Sequence, residues 1–233
     1  MYTDNHIDRM IGEQLSKENE EERKDHISSG KLSASQLGSP LQWQILHHYG
    51  IKGREVDNYT LRKFHRGKEI EDWLIRRIKP EDTQVKAEYR RCIGYMDALI
   101  DTKNHDFDFG VIPYEVKSVA NAKFKRIMTS KQPDRAHILQ AAYYALAGGF
   151  SHFAVCYIAA DDLRILTWVF PLKDELKEEI DAIIDRYDAQ IEKGTIPVFE
   201  AIESWHSNKL YNKYDEWMDI TKEADPTKLL LTN

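Results

Sequence analysis

Glu115 and Lys117 stand two apart in the segment YEVKS, and Asp97 lies upstream in GYMDALID. Alternate residues of a strand share one face, so this carboxylate and this ammonium would be neighbours on a single surface. Asp97 sits among Tyr95, Met96, Ala98, Leu99 and Ile100. An unpaired carboxylate there would cost several kcal/mol unless a cation or hydrogen bonds compensate. Clustered carboxylates are hard oxygen ligands suited to Mg²⁺ or Mn²⁺, and a nearby lysine can orient a water or stabilise negative charge on phosphate. Together such groups would carry out metal-dependent phosphodiester hydrolysis. The plainer alternative is a cross-strand ion pair between Asp97 and Lys117 with no chemistry.

The elements around these residues follow from periodicity. Leu41, Ile45 and Leu46 predict a short helix ending near Gly50, with Ser33 or Ser35 as a cap. Between Asp57 and Ile78 the residues Leu61, Phe64, Trp73, Leu74 and Ile78 recur at helical spacing, with Gly67 inside and Pro80 as a stop. The period then drops to two: QVKAEYRR, CIGYMDALID and VIPYEVKSV predict three consecutive strands in a meander. A basic loop leads to a helix in PDRAHILQAAYYALAGG, followed by strands in SHFAVCYIAA and LRILTWVF and a last amphipathic helix in PLKDELKEEIDAIIDRYDAQIEK. In this order Glu71, Asp97, Glu115 and Lys117 come from three neighbouring elements. Gln140 and Tyr144, four apart, share one face of the next helix.

At these positions the sequence resembles the PD-(D/E)XK nuclease superfamily, and more closely its RecB-like exonuclease branch. GKEIE is similar to the helical G-x-x-x-[H/E] motif, GYMDAL to the aspartate motif, EVK to the E-x-K motif and QAAYY to the Q-x-x-x-Y helix. The likeness spans residues 33 to 170. It implies an α/β fold of the restriction-endonuclease type, a central mixed sheet flanked by helices. Glu71, Asp97, Glu115 and the backbone carbonyl of Val116 would then bind metal. The resemblance makes Lys117 the catalytic lysine, and Gln140 and Tyr144 the residues that arrange substrate or lysine around it. Related CRISPR-associated exonucleases hold an iron-sulfur cluster through four cysteines. Here Ser39 stands before Pro40, the chain has only Cys92 and Cys156, and no cluster is expected.

The 233 residues, 42% hydrophobic, can bury one sizeable core. A net charge of -6 gives no global basic field, so any nucleic-acid contact must be local. Lys123, Lys125, Arg126, Lys131 and Arg135 follow Lys117 with only Asp134 opposing them, and form a candidate phosphate track. Arg66, in a second basic stretch beside Glu71, and His137, one turn before Gln140, are further DNA-contact candidates. Two isolated cysteines, no signal peptide and no run of roughly 18 apolar residues predict a reducing, cytoplasmic, membrane-free setting, and the resemblance implies a bacterial or phage-encoded protein. The expected organisation is a charged arm at 1–30, the nuclease domain at 31–195, and an acidic, aromatic extension at 196–233 on or near the core.

The functional expectation is a metal-dependent DNA exonuclease of recombination, repair or phage DNA metabolism. A structure-selective endonuclease and a catalytically silent DNA-binding or assembly subunit of the same fold are the alternatives. The expected partner is DNA, with single- or double-stranded ends, and a homo-oligomer or a recombination partner protein is compatible with this reading without being specified by the sequence.

Overall fold

The computed structural model describes residues 6–25, 30–51, 53, 55–103, 108–200, 214 and 222–230. In chain order they form α1 (His6–Asp25), β1 (Leu32–Ser33), a 3-10 turn at Ala34–Gln36, α2 (Leu41–His48) and α3 (Asn58–Ile78). Next come β2 (Asp82–Tyr89), β3 (Cys92–Asp101), β4 (Val111–Val119), α4 (Asn121–Ser130), α5 (Arg135–Gly148) and β5 (His152–Ala159). The last are β6 (Ile165–Pro171), α6 (Asp174–Lys193) and α7 (Pro226–Leu230).

Local chemistry sets the helix ends. The Asp57 carboxylate accepts from the Thr60 N–H at 2.7 Å and starts α3, and Lys79 adopts a left-handed conformation just before Pro80 to stop it. Leu61, Ile70 and Leu74 form its buried stripe. Gly67 places α3 against β4, since a Cβ there would lie 3.3 Å from the Ser118 hydroxyl. The segment expected as a basic loop is instead helix α4. Only Phe124 and Ile127 are buried in it, too few apolar positions for a period to show in the sequence. The expected phosphate track therefore runs partly along a helix.

The described strands build one mixed sheet, ordered β1-β3-β4-β5-β6 with β2 on the other edge of β3. β2, β3 and β4 form the expected antiparallel meander, β5 returns parallel to β4 through α4 and α5, and β6 closes antiparallel. The main core lies under α2, α5 and α6 and includes Trp43, Met96, Tyr143, Val155, Tyr157 and Tyr187. A second cluster joins Ile70 and Leu74 of α3 to Ala98, Val116 and Cys156 on the opposite side.

Most of 196–233 falls outside the described residues. Ile196 and Ala224 exchange both backbone hydrogen bonds at 2.8 and 3.0 Å, and Tyr214 is buried in the main core beside Trp43. Arg90 pairs with Asp181 and Asp185, and Arg91 with Asp188, so α6 clasps the β2–β3 turn. Each such partly exposed pair contributes about 0–1 kcal/mol. Among the described residues, no helix is long and apolar enough to cross a membrane.

Candidate active site

The site forms where β3 and β4 part. Their pairing ends at Ala98↔Tyr114, while β1 takes the same edge of β3 further back, at Cys92 and Ile93. Residues 94–97 thus line a fork. The Val116 N–H, one residue beyond Glu115, donates to Asp97 Oδ2 at 2.8 Å, so the carboxylate replaces a backbone partner that the splayed strand no longer offers.

Glu115 is fully buried, and among the described residues no backbone N–H or neutral side chain donates to its carboxylate. Lys117 Nζ stands in ion contact with its Oε1 and donates to it. Burial pushes the Glu115 carboxyl up to about 8, against the pull of the Lys117 charge, and the Asp97 and Glu71 charges add to the rise. Burial also raises Asp97, with Lys117 and the Val116 N–H opposing it. For Lys117 burial disfavours the ammonium, but Glu115 and Asp97 outweigh it and hold its pKa above the usual range. The resting site therefore has a charged lysine beside carboxyls whose protonated forms burial favours, and a further cation there would favour their ionised forms.

The helix α5 supplies the other wall. Gln140 Nε2 donates to the Tyr144 hydroxyl at 2.9 Å, and both residues are buried. Burial raises the Tyr144 pKa, and the nearby Glu115 and Asp97 charges raise it further, which places this pair against the carboxylates. Gly94 lets Tyr144 in: a Cβ there would come within 2.7 Å of the Ala34 Cβ and 2.8 Å of the Tyr144 ring. We expect Gly94→Ala to destabilise the fold by about 1–3 kcal/mol, measured by urea denaturation, and to impair the site beyond that loss by displacing Tyr144. A melting curve like wild type would contradict this close approach.

The expected residues thus separate into groups. Asp97, Glu115, Lys117, Gln140 and Tyr144 converge, and Val116 lies between Glu115 and Lys117 with its N–H already engaged. Glu71, half-buried on α3, is felt electrostatically by Glu115 and Lys117. No three His, Cys, Asp or Glu side chains form a preassembled metal cluster among the described residues. The donor set nonetheless fits a hard divalent cation. A buried carboxylate with Lys117 on one of its oxygens and a second carboxylate beside it supply hard oxygen donors.

Of the expected phosphate contacts, Lys123 and Arg126 pair with Asp134, and Arg135 pairs with Glu179, whereas Lys125, Lys131 and Arg66 are exposed. His137 Nδ1 shares a 2.8 Å hydrogen bond with the Tyr157 hydroxyl, which also accepts from the Asp134 N–H at 3.0 Å. Tyr157 is the register partner of Lys117 on β5, a neighbour that no sequence spacing announces.

The chain has a mixed α/β fold, a central six-stranded sheet flanked by helices with carboxylates and a lysine at the fork of two strands, and it shares this fold with solved exonuclease structures. Among solved structures, it is similar to LHK-Exo in complex with dAMP, at 19% identity over 70% of this chain and 89% of that one, with a TM-score of 0.51. LHK-Exo is an alkaline exonuclease from Laribacter hongkongensis. The chain is also similar to SSO0001, at 18% identity over 78% of this chain and 87% of that one, with a TM-score of 0.52. No family model matches the sequence, and no curated protein matches it.

Proposed function

We propose that the protein is a metal-dependent deoxyribonuclease that hydrolyses DNA from its ends. The observation that carries this reading is Glu115, wholly buried at the strand fork beside Asp97, with Lys117 against one of its oxygens and, among the described residues, no neutral donor on the other. Two buried carboxyls beside a single lysine are costly to ionise, and a divalent cation among them would offset that cost. The exonuclease name of LHK-Exo and its complex with dAMP support DNA ends as the substrate.

Asp97 and Glu115, with Glu71 and the Val116 carbonyl, would hold Mg²⁺ or Mn²⁺. Bound there, such an ion supplies a lowered water pKa and a polarised phosphate. Lys117 aligns the attacking water and offsets the charge that develops on the phosphoryl oxygens. The Val116 N–H fixes Asp97, and Gln140 with Tyr144 walls the site on the α5 side, so the reacting groups are set before substrate arrives. The exposed Lys125, Lys131 and Arg66 would grip phosphates without reading sequence.

The test uses end-labelled single-stranded, blunt duplex and closed circular DNA with Mg²⁺, Mn²⁺ or EDTA. Linear substrates should be lost only with metal, leaving circles intact. Cutting of circles would favour the endonuclease reading. Salt-sensitive binding without cleavage would leave a fold kept for DNA binding.

A further inference from the structure

Positive φ in a non-glycine residue is strained, and such strain persists only where surrounding structure holds it. Among the described residues, five non-glycine positions have it: Lys79, Gln84, Arg90, Lys131 and Leu163. Lys79 and Lys131 cap helix C-termini, Arg90 turns between β2 and β3, and Leu163 turns between β5 and β6. Only Gln84, at φ 51, lies inside a strand.

Its partner across β3 is Asp97. The β2–β3 register runs through Thr83↔Ala98 and resumes at Val85↔Met96, skipping the position where Gln84 faces Asp97. The alternation of β3 slips at the same place. Met96 belongs to the main core, yet Ala98, two residues on, belongs to the cluster on the α3 side. In an unbroken strand these two would share a face. The kink turns Asp97 toward the fork, where the Val116 N–H donates to Oδ2, and the Gln84 side chain lies near enough on the other edge to favour the charged form of the same carboxylate.

We infer that Gln84 is a positioning residue: its left-handed backbone re-aims Asp97 into the fork, and its amide holds the carboxylate from the edge opposite the Val116 N–H. The inference rests on the metal-dependent reading for its consequence, since an oriented Asp97 presents its oxygens to a cation. Partners behind a metal-binding carboxylate typically change metal affinity or activity 10- to 100-fold.

The test compares wild type, Gln84→Gly and Gln84→Asn, both substitutes accepting left-handed backbone while only Asn retains an amide. Mn²⁺ binding is measured by calorimetry on the full chain without DNA. Gln84→Gly should bind about 10-fold more weakly, with Gln84→Asn in between. A second measurement does not depend on metal. Gln84→Gly is made in wild type and in Asp97→Ala. The melting-temperature change should be more unfavourable by about 2–4 °C in the wild-type background. Equal changes in the two backgrounds, or wild-type Mn²⁺ affinity in Gln84→Gly, overturn the inference. Wild type that binds no Mn²⁺ overturns the nuclease reading instead, and the melting comparison then decides the role of Gln84 alone.

Discussion

Lys117→Ala should lower metal-dependent cleavage of linear DNA by about 10³-fold, within the range expected for loss of a group that positions a proton and a charge in the transition state. Lys117 Nζ is the cation that contacts Glu115, and it balances Asp97 as well. Its removal takes away an interaction needed at the reacting phosphate, not one that grips DNA, so kcat should fall while KM stays within about 3-fold. DNA affinity, which depends on exposed lysines and arginines elsewhere, should change little. The fold survives because Glu115 can take up a proton once its cation is gone. With Lys117 present, burial already pushes that carboxyl up to about 8. A variant with intact circular dichroism that cleaves within about 5-fold of wild type would remove Lys117 from the chemistry.

The triad of Asp97, Glu115 and Lys117 was legible because strand periodicity is local: two residues apart means one face, whatever the rest of the chain does. Gln140 and Tyr144 were legible for the same reason on a helix, and the structure joins them by a hydrogen bond. What escaped depends on pairing between distant segments. The fork exists because β1 and β4 share one edge of β3 without covering residues 94–97, and no window of sequence contains that fact. Gln84 looked like the first residue of a strand and is its one strained position. Tyr157, reached by His137, is a neighbour of Lys117 only through the parallel β4–β5 register. Helix α4 was missed for a different reason. Two buried side chains in ten residues, Phe124 and Ile127, give no period to detect among so many charges.

Glu115→Gln should abolish cleavage yet stabilise the metal-free protein at pH 8, with the gain fading in acid. The unfolded Glu115 ionises near 4.5, whereas in the fold burial holds it protonated up to about 8. Between these values folding must take up a proton, so this group's favourable contribution is full below about pH 4.5 and is lost as pH rises through about 8. Gln carries no charge at any pH and shows no such slope. It also leaves Lys117 with less negative charge to face, which offsets part of the benefit. The net gain at pH 8 should be about 1–3 kcal/mol, read as a higher melting temperature that converges with wild type near pH 5. Mn²⁺ should reverse the order: it would raise the wild-type melting temperature at pH 8 and leave Glu115→Gln nearly unmoved, because only the carboxylate offers a cation charged oxygens. Parallel melting curves from pH 5 to 8, with equal responses to Mn²⁺, would mean that Glu115 is satisfied without a metal. The fork would then be an ion pair and not an active site. A site that lowers the stability of its own fold until the ion binds is what selection for catalysis leaves behind, and a merely structural Glu115 would not carry that cost.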